Sequence, residues 1–145
     1  MTIKNEEAAY IAGLFDGEGS VYFTRRPEKK KKHKGRGYRY SNSMRISMEV
    51  TMTDESVVRW VHEVLGCGTV VRKPRKGLRK DGTKFLTQYV WRVTYRDAYQ
   101  VAKLLWPYAQ TKVHGIEKII DHYEPHTISG KVVSLKQYKE AMSLE

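Results

Sequence analysis

One carboxylate stands out for its setting. Glu18 lies between Gly17 and Gly19, at the end of the small-residue, apolar stretch Tyr10-Ile11-Ala12-Gly13-Leu14-Phe15-Asp16. If that stretch is helical, the Gly-Glu-Gly run ends it and leaves the carboxylate beside backbone carbonyls without helical partners. The negative end of the helix dipole adds to the charge there. Such a nest of hard oxygens suits Mg²⁺. The same residues also fit a plainer account, an alanine-rich helix packed in its own domain and ended by a turn with an exposed glutamate. Ala9 and Gly13 are four apart, as are Ala8 and Ala12, so each pair shares a helix face. Small side chains on such a face let another helix approach closely.

Other chemistries find little support. The five histidines form no ligand set; His122 and His126 have helical spacing, but Pro125 lies between them. Cys67 is the only cysteine, which excludes an internal disulfide and a multi-cysteine zinc site. It reads as a small buried side chain.

The charge distribution points to a polyanion. The net charge is +11, which suggests nucleic acid first and an anionic membrane second. Residues 25–39 hold nine cations (Arg25, Arg26, Lys29, Lys30, Lys31, Lys32, Lys34, Arg36, Arg39) against Glu28. Residues 72–84 hold seven more (Arg72, Lys73, Arg75, Lys76, Arg79, Lys80, Lys84) against Asp81. Together they carry 16 of the 27 Lys and Arg residues, and a merely solvated surface would mix signs more evenly. No stretch approaches the roughly 20 apolar residues of a membrane span, and Met1 to Tyr10 lacks the pattern of a secretion signal. The expectation is an intracellular protein with no targeting signal, no membrane and no small-molecule substrate.

The elements that must position these residues follow from periodicity. The length of 145 residues suits one domain, and a 40% hydrophobic content suffices for a core. Helix 1 is predicted from Asn5 to Phe15, with Asn5 as cap and Glu6 and Glu7 at the positive end of its dipole. A strand follows from Ser20 to Arg26, broken by Pro27, and then a Lys-rich hairpin loop. From Met44 to Met52 alternate residues are apolar, the mark of a sheet with one wet face. Helix 2 starts at Thr53 or Asp54 and ends at Leu65 before Gly66. Strand 3 is Thr69 to Arg72; strand 4 is Phe85 to Tyr95 beyond a second basic loop. Helix 3, capped by Asp97, ends before Pro107, and helix 4 runs from about Lys112 to Tyr123. A polar tail beyond Pro125 holds one short helix near Ser134 to Met142. The expected fold is α+β, a four-stranded antiparallel sheet in the order α-ββ-α-ββ-α-α. The core spans about residues 5–123, with an extension over 124–145. Helices cover one face, and a concave face is left for a duplex.

The stretch Ile11-Ala12-Gly13-Leu14-Phe15-Asp16-Gly17-Glu18-Gly19 resembles the LAGLIDADG motif of homing endonucleases along its whole length. Ile11 replaces leucine, Phe15 isoleucine, Gly17 alanine and Glu18 aspartate. The helix and hairpin order over roughly residues 6–123 agrees with that family's plan. The resemblance implies double-strand cleavage of a long DNA site by metal-dependent phosphodiester hydrolysis. Because the chain holds one motif copy, it implies a homodimer, with Ala9, Ala12, Gly13 and Asp16 at the subunit contact. It implies Glu18 as the metal ligand of each subunit, helped by the Gly17 carbonyl, with Mg²⁺ as cofactor. Mn²⁺ would substitute, and Ca²⁺ would bind without turnover. It places Lys112 at the edge of the metal site as a second catalytic residue. Where the family tends to use a glutamine near the end of strand 2, Met52 stands here. Glu49 or Gln110 could take that part, or the position does not matter.

A strand rises about 3.3 Å per residue, so Met44–Met52 spans about 30 Å, or about nine base pairs. A two-fold dimer would cover a pseudo-palindrome of about twenty base pairs, read mainly in the major groove. Parity selects Ser20, Tyr22, Thr24 and Arg26 on strand 1 as readers, with Ser43, Arg45, Ser47 and Glu49 on strand 2, and Gln88 and Arg92 on strand 4. The loop cations Lys29, Lys30, Lys31, Lys32, Arg36, Arg39, Arg72, Lys73, Arg75 and Lys76 are expected on phosphates. A non-cleaving binder of the same fold, an intron-splicing maturase or a DNA-binding regulator, is the alternative. It would not need a carboxylate facing phosphate. A basic ribosome-associated protein explains the charge but not the motif.

Overall fold

A computed structural model describes residues 3–30, 39–124, 126–128 and 131–143. Its first helix, α1 (Asn5–Glu18), runs three residues beyond the predicted end at Phe15. Gly17 and Glu18 therefore belong to the helix, and the turn comes at Gly19. The Gly19 N–H still reaches back to the Phe15 carbonyl. A Cβ at Gly19 would lie 2.2 Å from the Phe15 ring and 2.5 Å from the Phe15 oxygen. Only glycine lets the chain leave the helix so close to a buried phenylalanine. Lys4, not Asn5, precedes the helix, and its N–H donates to Glu7 Oε1 at 3.1 Å.

The chain then enters β1 (Gly19–Lys30) and returns as β2 (Arg39–Met52). Their antiparallel register runs from Gly19↔Val50 to Lys30↔Arg39. Strand β1 passes through Pro27, where a break was predicted. It is an edge strand, the place in a sheet where a proline is tolerated. Helix α2 (Glu55–Leu65) is capped by Asp54, whose Oδ1 accepts the Val57 N–H at 3.1 Å. It ends at Gly66 with φ 69°. After β3 (Thr69–Lys73), β4 (Gln88–Thr94) begins three residues later than predicted. Helix α3 (Tyr95–Leu105) starts directly, so Tyr95 is helical rather than the last strand residue. Its φ of 50° makes the corner. Helix α4 (Val113–Tyr123) follows. A small hairpin, β5 (His126–Ile128) with β6 (Lys131–Val133), precedes α5 (Leu135–Ser143). The hairpin was not foreseen; the short helix was.

The main sheet is antiparallel in the order β1-β2-β4-β3, which makes the fold α+β as expected. One face is the core. Ile46, Met48 and Val50 of β2 and Trp91 and Val93 of β4 meet Ile11 and Phe15, Val61 and Leu65, Leu105 and Ile116 from the helices. Met52 joins this apolar side, pairing with Tyr89. The Trp91 indole N–H donates to the Cys67 carbonyl at 3.0 Å, and Cys67 is half-buried. Burial and the charge of Asp97 push its thiol pKa up.

Asp16 joins the end of α1 to the loop between α3 and α4. Its carboxylate accepts the N–H groups of Gln110 at 2.8 Å, Thr111 at 3.1 Å and Lys112 at 3.0 Å. Its carbonyl accepts the Thr111 hydroxyl at 3.0 Å. Burial pushes the Asp16 carboxyl pKa up, but the donors from Lys112, Gln110 and Thr111 outweigh it and hold the group below 3.8.

Two pairs of variants test this account. Gly17 has open space where a side chain would start, so Gly17→Ala should stabilise α1 by up to about 1 kcal/mol. Gly19→Ala must displace Phe15 and should cost about 1–3 kcal/mol; denaturant titration of both reads the contrast. Asp16 has a lowered native pKa, so its contribution is present above pH 3.8 and is lost as pH falls through the native value. The stability difference between the parent and Asp16→Asn should therefore shrink on acidification below about pH 4. A difference independent of pH in thermal unfolding would refute the carboxylate's role.

Candidate active site

Glu18 is the last residue of α1, and it is exposed. The next residue, Gly19, opens β1 opposite Val50, so the carboxylate stands where the helix gives way to the sheet. The carbonyls around it are unevenly used. Phe15 O takes the Gly19 N–H and Asp16 O takes the Thr111 hydroxyl. Gly17 supplies the next carbonyl after these two. Lys112 is brought to the same corner by its N–H bond to Asp16, two residues before Glu18 in α1. It also precedes the first turn of α4. The Lys112 backbone is thus held at the end of α1 that carries Gly17 and Glu18. Among the described residues no three His, Cys, Asp or Glu side chains converge.

The four residues expected at a subunit contact separate. Ala9 and Gly13 are exposed on the outer side of α1. Ala12 is 1% exposed and faces its own core, and Asp16 is engaged by the α3–α4 loop. Helix geometry explains this: residues three apart lie on nearly the same side, but a core stripe at Ala8, Ile11, Ala12 and Phe15 fixes which side turns inward.

On the open face, register pairs join Ser20 with Glu49, Tyr22 with Ser47 and Thr24 with Arg45. Arg92 lies opposite Glu49, and Gln88 opposite Lys73. The predicted parity is correct, but accessibility differs. Ser20 and Thr24 are exposed, whereas Ser47 and Glu49 are 2% and 8% exposed. Ser47 Oγ has no partner among the described residues. Strand parity turned Ser47 and Glu49 to this face, but both are almost buried in the middle of β2 and offer little surface to a ligand. The Arg45 guanidinium lies 4.5 Å above the Tyr22 ring, and Arg92 forms an ion pair with Glu49. Thr69 and the exposed Val71 of β3 share this face and were not foreseen, because a five-residue β3 is too short to show its own alternation.

Arg72 pairs with Tyr89 and so has the helix-side parity, on the exposed outer edge. Lys73 has the open-face parity, and Lys73, Arg75 and Lys76 are exposed. The loop beyond is ordered: Asp81 Oδ1 accepts from the Thr83 N–H at 3.0 Å, and Arg75 lies 4.2 Å over the Phe85 ring. Arg26 and Ser43 form a register pair, and Lys29, Lys30 and Arg39 sit at the far end of the β1–β2 ladder. Lys31, Lys32 and Arg36 lie outside the described residues. No helix among the described residues is long and apolar enough to cross a membrane.

No family model matches the chain, and no curated protein matches it. Solved structures do. The homing endonuclease I-CvuI in complex with its target, in the presence of 2 mM Ca, is 18% identical with a TM-score of 0.53. That match covers 97% of this chain and 94% of the other. The archaeal intron-encoded homing endonuclease I-Vdi141I, complexed with DNA, is 16% identical with a TM-score of 0.56, over 81% of this chain and 66% of that one. The group I intron-encoded homing endonuclease I-CeuI, complexed with DNA, gives 17%, 0.54, 83% and 55% in the same terms. At these identities the likeness is one of fold, and that fold is the one shared by the LAGLIDADG homing endonucleases, over most of the chain.

Proposed function

We propose that the chain is one subunit of a homodimeric homing endonuclease that cuts both strands of a long pseudo-palindromic DNA site with a divalent metal. The observation that carries this reading is the exposed Glu18 carboxylate at the junction of α1 and the sheet, on the helix end to which Asp16 ties the Lys112 backbone. The fold likeness to proteins solved in complex with DNA supports it.

The donors fit a hard cation. Glu18 offers a carboxylate and Gly17 a carbonyl, which suit Mg²⁺ or Mn²⁺, and Ca²⁺ as a binding substitute. One chain offers fewer oxygens than octahedral Mg²⁺ requires. A second Glu18 from a two-fold partner, phosphate oxygens and water would complete the set. When bound, the metal would supply an activated water and charge stabilisation for the leaving oxygen. Glu18 holds the ion in place. Lys112 presents an ammonium that offsets charge on the phosphate, and Asp16 is the positioning residue that fixes the Lys112 backbone. Two Glu18 carboxylates brought together would repel each other without a bound cation, so metal and dimer would support one another. The duplex rests on the open face, with the loop cations on its phosphates.

The partner's contact is the outer side of α1. Ala9 and Gly13 are exposed there, and nothing lies within 4 Å of a Cβ built on Gly13. Tyr10, 57% exposed, meets Trp60 edge to face at 5.3 Å. An exposed aromatic beside small residues suits a close helix contact.

Glu18→Gln should leave folding and DNA affinity nearly intact while cleavage falls by at least roughly a thousandfold, about 4 kcal/mol of barrier. Cleavage is followed in Mg²⁺ and binding in Ca²⁺. A variant that cuts at the parental rate would exclude Glu18 as the metal ligand; a parent that binds but never cuts favours the non-cleaving regulator. Gly13→Leu should convert a dimer to a monomer in sedimentation, and a parent already monomeric with and without DNA would rule out the α1 contact.

A further inference from the structure

Two arginines on the open face are already held in place, each by a different device. Arg92 on β4 brings Nε and Nη2 onto a single oxygen, Oε1, of Glu49 on β2. Arg45 on β2 lies over the Tyr22 ring of β1. Between them along β2, Ser47 is 2% exposed, so it offers no polar group to a ligand. The Arg92 side chain stays 42% exposed, while that of Glu49 is only 11% exposed.

Resting on the DNA-binding reading above, we propose that Arg92 and Arg45 each read a guanine, about four base pairs apart in every half-site, and that Glu49 positions Arg92 instead of reading a base. A guanidinium has five N–H groups in a fixed fork. Engaging Nε and one side of Nη2 leaves Nη1 and the other side of Nη2 pointing outward, side by side. That fork matches the O6 and N7 acceptors of guanine in the major groove. A phosphate is the poorer ligand for Arg92, because it would meet the Glu49 charge as well. The loop cations are better placed for phosphates. Both devices also remove rotamer freedom before binding, so less is lost when the contact forms.

Register sets the order and the spacing. Glu49 lies opposite Ser20, next to Gly19 and the Glu18 corner, so Arg92 reads the inner guanine, nearer the cleavage point. Arg45 is four residues further along β2, about 13 Å or about four base pairs outward.

The test is selection of bound sequences from randomised duplexes in Ca²⁺, repeated with Arg45→Gln, Arg92→Gln and Glu49→Gln. The parent should prefer guanine at two such positions by roughly tenfold or more each. Arg92→Gln should abolish the inner preference only, and Arg45→Gln the outer only. Glu49→Gln should flatten the inner guanine preference without moving the outer. The proposal is overturned if Glu49→Gln instead erases a cytosine preference while the inner guanine stays, or if the arginine variants keep both guanines. A parent that selects this pattern but does not cut in Mg²⁺ defeats the nuclease reading and upholds the two readers. A parent that cuts without regard to guanine at these positions defeats the readers alone.

Discussion

The carboxylate of Asp16 receives three consecutive backbone N–H groups, those of Gln110, Thr111 and Lys112, across 94 to 96 residues of sequence. Hydrogen bonds to an ionised acceptor are stronger than neutral ones, and three on one carboxylate fix both position and direction. They set where α4 starts and hold the Lys112 backbone at the end of α1 that presents Glu18. They also use the Asp16 carbonyl through Thr111, leaving Gly17 as the next backbone oxygen. The end of α1 and the start of α4 are therefore joined through one residue.

A second constraint is the parity of β2. Ile46, Met48 and Val50 must face the helices, and once they do, Arg45, Ser47 and Glu49 can only face outward. The alternation from Met44 to Met52 made this legible, and so were the helix order and the tie between one motif and one carboxylate. What could not be read was accessibility. Ser47 and Glu49 have the right parity yet are almost buried, and the strands paired beside them, β1 and β4, are separate stretches of the sequence. The same holds for Ala12: the small-residue spacing is the same on both sides of α1, and only the packed core decides which alanine is hidden.

Boundaries erred where glycine and proline were read by their usual local effect. Gly17 did not stop α1, because helical backbone suits it and the crowding against Phe15 falls at Gly19. Pro27 did not end β1, because an edge strand tolerates a proline. The β5–β6 hairpin carries only three residues per strand, too few for any period to register.

Strand β4 pairs with β2 only from Ser47 to Met52, whereas β1 accompanies β2 out to Arg39. Beyond Ile46 the two strands form a ribbon with no third strand paired to it among the described residues. Such ribbons twist more strongly than sheets and are marginal on their own in water. Their backbone amides should exchange with solvent far faster than those facing α1, and binding should slow them. On the DNA-binding reading, tightening the ribbon against a groove would give association a heat-capacity change larger than rigid docking, so affinity would fall off with temperature along a curve and not a line. On the same reading, recognition would be strict near Glu18, where the sheet is four strands wide, and more forgiving toward Arg39, where β2 pairs with β1 alone.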